Sequence, residues 1–323
     1  MLEKYYKGKN AVVTGAASGI GRCFSLQLAD LGTNLVISDI NKDGLARVQE
    51  EIAARGGKVI PVVCDVTDAA QTRNLAKIAI AEYTDIHFLF SNVGTATGGF
   101  LPYISVAAWT KIINVNLWGM INTVTAFLGR MLDQGFGHII QTSSIAGAIG
   151  VGGLIPYSTT KFSNAGFCEA LYGEYRKKGI NVSILCPFPI KTNLIENAGI
   201  GIPPELLSDY GPEVVQQAIV AGKAHYWEEF TKKSFITKGF AGGMDVELAV
   251  KKYLKAIQKK RLYIFENRLG RLFQFFRGCS PWIYQKILGM LGGRHCQLVS
   301  NTYQFATEKA KTAQMDDAGI PKQ

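Results

Sequence analysis

Cysteine and histidine are scarce in this chain of 323 residues, which contains six Cys and four His. The cysteines lie far apart and form no C-x-x-C pair, so the sequence predicts no disulfide framework and suits a reducing compartment. The histidines are equally scattered and lack the spacing of zinc ligands. The sequence therefore predicts no metal site.

Long apolar runs are also absent, because no run approaches the roughly 20 apolar residues that a membrane-spanning helix needs. The polar start, MLEKYYKGKN, leaves no room for the apolar core of a signal peptide. With 47% apolar and 19% charged residues, the composition is that of a globular protein and excludes a disordered chain. We therefore expect a cytoplasmic protein that touches a membrane at most peripherally.

Acidic residues are nearly missing from one segment, residues 251–294, which contains eleven basic residues and a single acid, Glu266. This segment accounts for the whole net charge of +10, since the rest of the chain has as many acidic as basic residues. A basic segment on a neutral body predicts a local electrostatic role or a solvated face. It argues against a nucleic-acid binder, and no nucleic-acid motif accompanies it.

Residues 10–190 alternate between short apolar runs and stretches of helical periodicity. The predicted strands are Ala11–Thr14, Asn34–Ser38, Val59–Cys64, Ile86–Ser91, His138–Thr142 and Asn181–Cys186, followed later by Leu262–Phe265. The predicted helices cover about 19–31, 42–56, 68–83, 105–133 and 157–178. This alternation predicts an α/β fold, a doubly wound parallel Rossmann sheet of about seven strands with helices on both faces.

The alternation ends after Thr192. Residues 193–244 contain glycines and prolines around short helical pieces, and no strand is predicted there. Their apolar residues are compatible with a lid over a lipophilic substrate and equally with additional core under a long loop. These residues are Leu194, Ile195, Ile200, Ile202, Leu206, Leu207, Tyr210, Trp227, Phe230, Phe235, Ile236 and Phe240.

We predict one domain over residues 1–266, a basic amphipathic helical extension at 267–299 and a frayed polar tail at 300–323. The extension has the pattern of two short helices with apolar stripes beside basic residues. Such faces suit an anionic membrane surface, which residues 267–294 would contact. The favoured alternative is a helix pair packed against its own domain or a sister subunit.

The first strand is followed by a glycine-rich turn, TGAASGIG, that opens a helix. Gly15, Gly19 and Gly21 allow a tight turn and the close approach of a pyrophosphate to the helix amides. Ser18 and Ile20 lie in the same turn and are further candidate cofactor-binding residues. The alternative is a tight turn without a ligand.

Asp39 ends the second predicted strand, where an acid accepts hydrogen bonds from the adenosine ribose and repels the extra phosphate of NADP. No Arg or Lys follows it immediately, and none lies in the glycine turn. The sequence therefore favours NAD, with a solvated Asp at a strand end as the alternative.

Tyr157 and Lys161 form a Y-x-x-x-K pair in a predicted helix, 13 residues after Ser144. A spacing of four puts both side chains on one helix face, where the Lys charge is expected to lower the pKa of the phenol. The pair alone carries little weight, because Tyr5–Lys9 has the same spacing. Ser143 competes with Ser144 at the end of the fifth strand.

These motifs together resemble those of the short-chain dehydrogenases/reductases. They occur in the order typical of that family: Gly15-x-x-x-Gly19-x-Gly21, Asp65-Val66, Ser91-Asn92-Val93-Gly94, Asn116, Ser144, Tyr157-x-x-x-Lys161 and Pro187-to-Thr192. The resemblance covers about residues 8–192 and extends more loosely to 266.

The resemblance implies a catalytic role for four residues. Tyr157 would act as general acid/base on the substrate oxygen, and Ser144 would hold that oxygen by a hydrogen bond. Lys161 would hold the nicotinamide ribose and tune Tyr157, and Asn116 would order a water that relays protons.

The resemblance also implies further cofactor contacts, with Asp65 at the adenine and Thr192 at the nicotinamide carboxamide. The other implied cofactor contacts are Val66, Asn92, Gly94, Tyr157 and Ile190. Three residues depart from the family pattern, namely Ser91, Val93 and Phe188, which stands where a glycine normally follows proline. Phe188 is expected to narrow the nicotinamide end of the pocket or to stack near the substrate.

The sequence predicts an NAD-dependent oxidoreductase that interconverts a small hydrophobic secondary alcohol and its ketone, of a hydroxysteroid-like, aryl-alkyl or lipid-like class. Asp39 and the apolar segment 193–244 count against an NAD(P)H-dependent 3-ketoacyl-type reductase. A non-catalytic, cofactor-binding adaptor for a membrane or a partner is the third interpretation. The resemblance implies a homodimer or homotetramer paired through the helices that carry Asn116 and Tyr157.

Overall fold

The structure of the chain, a computed structural model, describes residues 2–190, 192, 194, 198–233 and 244–317. Its strands are β1 (Asn10–Thr14), β2 (Asn34–Asp39), β3 (Val59–Val63), β4 (Phe88–Ser91), β5 (Thr97–Gly99), β6 (Gly137–Thr142), β7 (Ile180–Leu185), β8 (Gly199–Gly201) and β9 (Tyr263–Ile264). Its helices are α1 (Leu2–Tyr6), α2 (Gly19–Asp30), α3 (Lys42–Ala54), α4 (Ala69–Tyr83), α5 (Val106–Ile113), α6 (Gly119–Asp133), α7 (Ile155–Tyr175), α8 (Pro212–Lys233), α9 (Val246–Ile257), α10 (Arg268–Cys279) and α11 (Pro281–Asp317). A π-helical turn at Asn114–Trp118 joins α5 to α6.

Seven strands form one parallel sheet in the order β3-β2-β1-β4-β6-β7-β9. The order reverses between β1 and β4, so the loops after these two strands diverge and leave a crevice at the carboxyl edge of the sheet. The predicted Rossmann sheet with helices on both faces is therefore confirmed. The predicted seventh strand is β9.

Helices cover both faces of the sheet, which is why its parallel strands read as nearly continuous apolar runs. On one face α2 and α9 pack through fully buried side chains that include Phe24 and Tyr253. On the other face α4 and α6 pack through Leu75 and Phe127. Burial stabilises this arrangement by about 25 cal/mol per Å² of apolar surface. The two cores hold the carboxyl edge of the sheet in place.

Side-chain caps fix the starts of the helices near this edge. At the start of α3, Asn41 Oδ1 accepts a hydrogen bond from Gly44 N at 2.9 Å. At the start of α4, Asp68 Oδ1 accepts one from Ala70 N at 2.7 Å, and Asp245 caps α9 in the same way. Each such cap is worth about 1 kcal/mol.

One helical stretch in the described part of the chain, Val106–Asp133, is long and apolar enough to cross a membrane by length and composition. It consists of α5, the π-helical turn and α6. Val124, Phe127 and Met131 on α6 are fully buried in the core against the sheet. Core helices of globular domains have the same composition.

The segment after Thr192 differs from the prediction, because it contains a strand. Gly199–Gly201 forms β8, which pairs in parallel with β5 in a separate two-stranded sheet. A Gly-Ile-Gly strand has no alternation of apolar and polar side chains, so periodicity cannot reveal it.

The C-terminal segment also differs from the prediction of a frayed tail. α11 begins at Pro281, where a second helix is predicted, but it continues as far as Asp317. Tyr303, Ala306 and Ala310 on α11 are buried. The small alanine side chains let α11 pack closely against α8. Residues 300–317 therefore belong to the folded body.

The inner face of the extension packs against its own domain, as the favoured interpretation predicts. Phe273 on α10 is only 8% exposed, and its ring stacks on that of Phe188 with centroids 6.5 Å apart. Gly270 brings the helix close, since a Cβ there would lie 3.0 Å from Phe188 Cε2. Phe188, which stands where the family pattern has a glycine, thus packs against α10.

Candidate active site

The glycine turn after β1 requires glycine at three positions. Gly15 and Gly19 have φ values of +67° and +52°, in the left-handed region that side chains disfavour. Gly21 has no room for a side chain, because a Cβ there would lie 2.0 Å from Gly15 O and 2.7 Å from Asn92 Nδ2. The turn is therefore held by close backbone packing between β1, α2 and the loop after β4.

The first turn of α2 faces the crevice at this point. Ser18 is the N-cap residue and makes no capping hydrogen bond with its side chain. The amides at the start of a helix carry partial positive charge and are suited to an anion such as a pyrophosphate. Thr192 borders the same turn, since a Cβ on Gly19 would lie 3.3 Å from Thr192 Cγ2.

Asp39 at the end of β2 is tied to the glycine turn. Its Oδ2 accepts a hydrogen bond from Ala17 N at 3.0 Å, and its Oδ1 accepts one from Asn41 N at 2.9 Å. The carboxylate thus has a structural role that the sequence does not indicate. It still lines the crevice, where a ribose would lie.

The loop after β4 crosses the bottom of the crevice. Asn92 N donates to Thr14 Oγ1 at 3.2 Å, and Asn92 Oδ1 is buried without a hydrogen-bond donor among the described residues. A buried acceptor without a partner costs free energy, so it suits a donor on a bound ligand. At Gly94 a Cβ would lie 3.2 Å from Lys161 Nζ, so a larger residue at this position would crowd the Lys161 amine.

The structure separates the two candidate serines after β6. Ser143 Oγ donates to the backbone oxygen of Lys161 at 2.9 Å, which ties β6 to α7. Ser144 Oγ accepts from Ala146 N at 3.1 Å and lies within hydrogen-bonding reach of the Tyr157 hydroxyl. Ser144 is therefore the serine that shares the site with Tyr157.

Tyr157 and Lys161 lie on one face of α7 and are both buried. Lys161 Nζ donates to Thr142 O at 3.0 Å and lies 5.7 Å from the centroid of the Tyr157 ring. Burial lowers the pKa of Lys161 to about 8. The ammonium is therefore still charged at neutral pH.

The expected fall in the pKa of Tyr157 is not found. Burial raises the pKa of its phenol, and the hydrogen bond with Ser144 offsets only part of this rise. Desolvation disfavours the charged phenolate, and it is the largest cause of the rise. In this state Tyr157 holds its proton.

Asn116 lies in the π-helical turn behind the site and connects two segments of the site by hydrogen bonds. Its Oδ1 accepts from Thr95 N at 2.8 Å, and its Nδ2 donates to Thr95 O at 2.9 Å and to Thr160 Oγ1 at 3.0 Å. The side chain thus joins the loop after β4 to α7, next to Tyr157. The proton relay through a water stays a prediction.

A cavity of about 1130 Å³ contains the site. It is lined by all the candidate residues from the sequence except Gly21 and Asn116, which support it from behind. The lining candidates are Gly15, Ser18, Gly19, Ile20, Asp39, Asp65, Val66, Asn92, Gly94, Ser144, Tyr157, Lys161, Ile190 and Thr192. Asp65 Oδ1 also accepts from Thr67 N and Oγ1, both at 2.8 Å. One cavity therefore has room for a dinucleotide and a second molecule.

The outer wall of the cavity comes from α8 and α11, which sequence reasoning missed. His295 Nδ1 donates to the backbone oxygen of Gly152, and His295 Nε2 accepts from the hydroxyl of Tyr226 on α8. Burial lowers the pKa of His295 to about 4, so the ring is neutral at neutral pH and can accept from Tyr226. Leu291 and Val299 on α11 add apolar surface.

The predicted lid residues divide between two environments. Leu194 and Ile200 line the cavity. Ile202, Leu206, Leu207 and Tyr210 instead pack with α8 and α11 in a small separate core. Ile195, Phe235, Ile236 and Phe240, and the side chains of Trp227 and Phe230, lie outside the described residues. The second group therefore forms additional core, and a lid over a substrate stays a prediction for Leu194 and Ile200.

Metal-binding side chains do not cluster in the described part of the chain. No three His, Cys, Asp or Glu residues lie close enough there to hold a metal ion.

Known proteins resemble this chain in sequence and in structure. The model of the family described as short chain dehydrogenase matches residues 9–202. Epidermal retinol dehydrogenase 2 of Homo sapiens is 34% identical over 231 residues, which cover 69% of this chain and 75% of that protein. The 1-deoxy-11-beta-hydroxypentalenate dehydrogenase of Streptomyces avermitilis is 36% identical over 185 residues, which cover 56% of this chain and 68% of that protein.

A solved structure from Burkholderia phymatum, a short chain dehydrogenase/reductase in complex with NAD, has the same fold with a TM-score of 0.68. It is 29% identical in sequence, and the match covers 84% of this chain and 94% of that one.

Proposed function

Because this chain belongs to the short-chain dehydrogenase family, we propose that it is an NAD-dependent oxidoreductase that interconverts a hydrophobic secondary alcohol and its ketone. The observation that carries the proposal is the single cavity that Tyr157, Ser144 and the glycine turn line together. A substrate oxygen at the two hydroxyls would then lie in the same space as a dinucleotide held at the turn.

Three features of the cavity fit NAD. The glycine turn leaves space where side chains would otherwise project, and the start of α2 suits a pyrophosphate. Asn92 Oδ1 is a buried acceptor that a ligand donor would satisfy. Asp39 presents a negative charge where NADP would carry its extra phosphate. Lys161 and Thr192 would hold the nicotinamide half, and the bound cofactor would supply or accept the hydride.

Side chains of the protein would themselves donate or accept the proton at the substrate oxygen. Tyr157 keeps its proton because burial raises its pKa, so its hydroxyl is ready to donate to the oxygen of a ketone. Ser144 would hold the same oxygen by a second hydrogen bond. In the direction of alcohol oxidation Tyr157 must first lose its proton, and the Lys161 cation favours that loss below the Lys161 pKa of about 8.

The outer wall of the cavity supports a hydrophobic substrate. Leu194, Ile200, Leu291 and Val299 offer apolar surface. Polar and charged side chains lie among them, namely Lys223, Tyr226, Glu229, Arg294, His295, Gln297 and Asn301. Relatives named for retinol and for a hydroxypentalenate also favour lipid-like alcohols. An acyl chain on a carrier protein, the substrate of a 3-ketoacyl-type reductase, would need an open path to the surface on the side that α11 covers.

The proposal is tested by measuring turnover with NAD and with NADP on steroid, aryl-alkyl and aliphatic secondary alcohols, and on the matching ketones with the reduced cofactors. We expect turnover with NAD on the bulky hydrophobic alcohols and little on short polar ones. Cofactor binding without turnover on any of them would favour the non-catalytic adaptor.

Neutralising Asp39 is expected to weaken the preference for NAD. Asp39→Asn keeps one of the two oxygen acceptors that Ala17 N and Asn41 N now use, and it removes the charge that repels the 2′-phosphate. Like charges in contact cost several kcal/mol, so the ratio of kcat/KM for NADP over NAD should rise by about tenfold or more.

The matched control for this variant is Asp43→Asn, since Asp43 is an exposed acid in the first turn of α3. It loses the same charge nearby but does not line the cavity, so its cofactor ratio should stay that of the wild type. An equal change in both variants would show a general charge effect and not a contact at Asp39.

We also propose a homodimer or homotetramer paired through the helices that carry Asn116 and Tyr157. Val106 on α5 and Trp118 in the π-helical turn lie beside this region and are 82% and 52% exposed. A subunit contact would cover them.

A further inference from the structure

The outer face of α10 is apolar and basic at the same time. Leu272 and Phe275 are 46% and 59% exposed. Arg268 and Arg271 are exposed beside them. The four side chains share one helix face because their spacings are three and four residues, and the buried Phe273 lies on the opposite face.

The first turns of α11 carry a second exposed row of the same kind. Trp282, Lys286 and Met290 follow one another at intervals of four residues and so lie in a row along the helix. Trp282 and Met290 are 64% and 47% exposed. Lys286 Nζ lies 3.7 Å from the centroid of the Trp282 ring, which keeps a charge at the ring face.

We call this set of side chains the α10–α11 surface. It consists of Arg268, Arg271, Leu272, Phe275, Trp282, Lys286 and Met290. No acidic residue occurs between residues 267 and 307, whereas five basic ones do. Soluble proteins rarely group large apolar side chains on one exposed surface without a partner.

The composition of this surface selects one kind of partner. Trp favours the boundary between headgroups and hydrocarbon, and Arg and Lys are attracted to anionic headgroups while their apolar stems stay in contact with lipid. An acidic peptide would satisfy the cations but leave Trp282 and Phe275 in water. An anionic bilayer satisfies both kinds of side chain.

The position of the surface relative to the cavity agrees with this partner. α11 carries Trp282 and Met290 in its first turns, and from Leu291 onwards the same helix lines the cavity. A bilayer against the α10–α11 surface would therefore lie next to the wall of the cavity that α11 forms.

We propose that the α10–α11 surface docks on an anionic lipid bilayer, with Phe275 and Trp282 inserted at the headgroup boundary. The proposal does not depend on the reaction that the protein catalyses. It differs from membrane spanning, because only two short helix faces enter the lipid.

The test is co-sedimentation of the full-length protein with vesicles of phosphatidylcholine alone or mixed with phosphatidylglycerol. Wild type is expected to pellet with the mixed vesicles and to be released by salt, since screening weakens the contact. The double variant Phe275→Ser/Trp282→Ser should lose about tenfold or more in partition coefficient because two inserted rings are removed. Arg268→Glu/Arg271→Glu should lose a similar factor.

Two control variants remove an exposed apolar side chain or reverse two charges at positions outside the α10–α11 surface. Met315→Ser removes an apolar side chain that is 58% exposed at the other end of α11. Arg176→Glu/Lys177→Glu reverses two charges at the end of α7. Both controls should pellet like wild type. Quenching of tryptophan fluorescence by brominated lipids should occur in wild type and be lost in Trp282→Phe.

Absence of pelleting at low salt, or equal pelleting of the surface variants and the controls, overturns the proposal. If the aromatic double variant instead converts an oligomer to a smaller species in gel filtration, the surface binds a second copy of the chain. Turnover measured without vesicles should be unchanged in all these variants, so failure of docking and failure of the proposed reaction are distinguishable.

Discussion

Replacing Tyr157 by Phe is expected to lower turnover by about 10²- to 10⁴-fold, the usual contribution of a general acid or base. The change removes one oxygen from a buried side chain and leaves the ring that packs between Ser144 and Lys161. Because no other contact with the glycine turn is altered, dinucleotide affinity should stay within about twofold of the wild type. Steady-state rates and a binding titration on the same preparation separate these two effects.

The chain contains its own control for this variant. Tyr5 and Lys9 repeat the same spacing far from the cavity, and Tyr5 packs edge-on against Tyr6 with ring centroids 4.9 Å apart. Tyr5→Phe makes the identical chemical change and should leave turnover intact. Full activity in Tyr157→Phe would remove Tyr157 as the proton donor.

Replacing Gly21 by Ala is expected to damage both the fold and cofactor binding. The new Cβ would lie 2.0 Å from Gly15 O, and because that atom belongs to the backbone it cannot rotate away. The glycine turn must open, which should destabilise the protein by about 1–3 kcal/mol. The displaced turn should lower dinucleotide affinity by at least about tenfold.

Gly129→Ala is the matched control, since a Cβ at Gly129 on α6 meets no atom within 4 Å. Alanine is favoured over glycine inside a helix by about 1 kcal/mol, so this variant should be slightly more stable than the wild type. Thermal unfolding measured with and without NAD reports both the stability of each variant and its affinity for NAD. Similar NAD affinity in the two variants would contradict the packing argument.

The sheet and the inner half of the cavity were predictable because local sequence specifies them. Buried parallel strands are continuous apolar runs, and the helices between them have a period that the sequence displays. Gly15, Gly19 and Tyr157 lie at the carboxyl edge because motif spacing and strand order place them there together.

The outer half of the cavity was not predictable because its contacts join distant segments. α11 is held by Thr302, Tyr303, Ala306 and Ala310, a stripe of small and weakly apolar side chains that has the composition of a polar tail. Only the spacing of these residues, three or four apart, would have indicated a helix. The strand at Gly199–Gly201 exists because of its partner and not because of its own sequence.

The pKa of Tyr157 was predicted in the wrong direction for a similar reason. Spacing shows that Lys161 lies near the phenol, but it does not show how deeply both are buried. Desolvation acts on both groups, so it raises the pKa of the phenol and lowers that of the amine. A cofactor with its own charge would change this balance, which the sequence alone cannot report.

The cavity wall that α11 forms has a consequence for how the protein matures on the ribosome. The Rossmann sheet up to β7 is complete in the nascent chain long before α11 emerges, and domains fold as units during synthesis. A nascent chain can therefore complete the sheet and the glycine turn while the cavity still lacks the wall that α11 supplies. This wall is the last part of the cavity to form, and a protease that trims the C-terminus would remove it first.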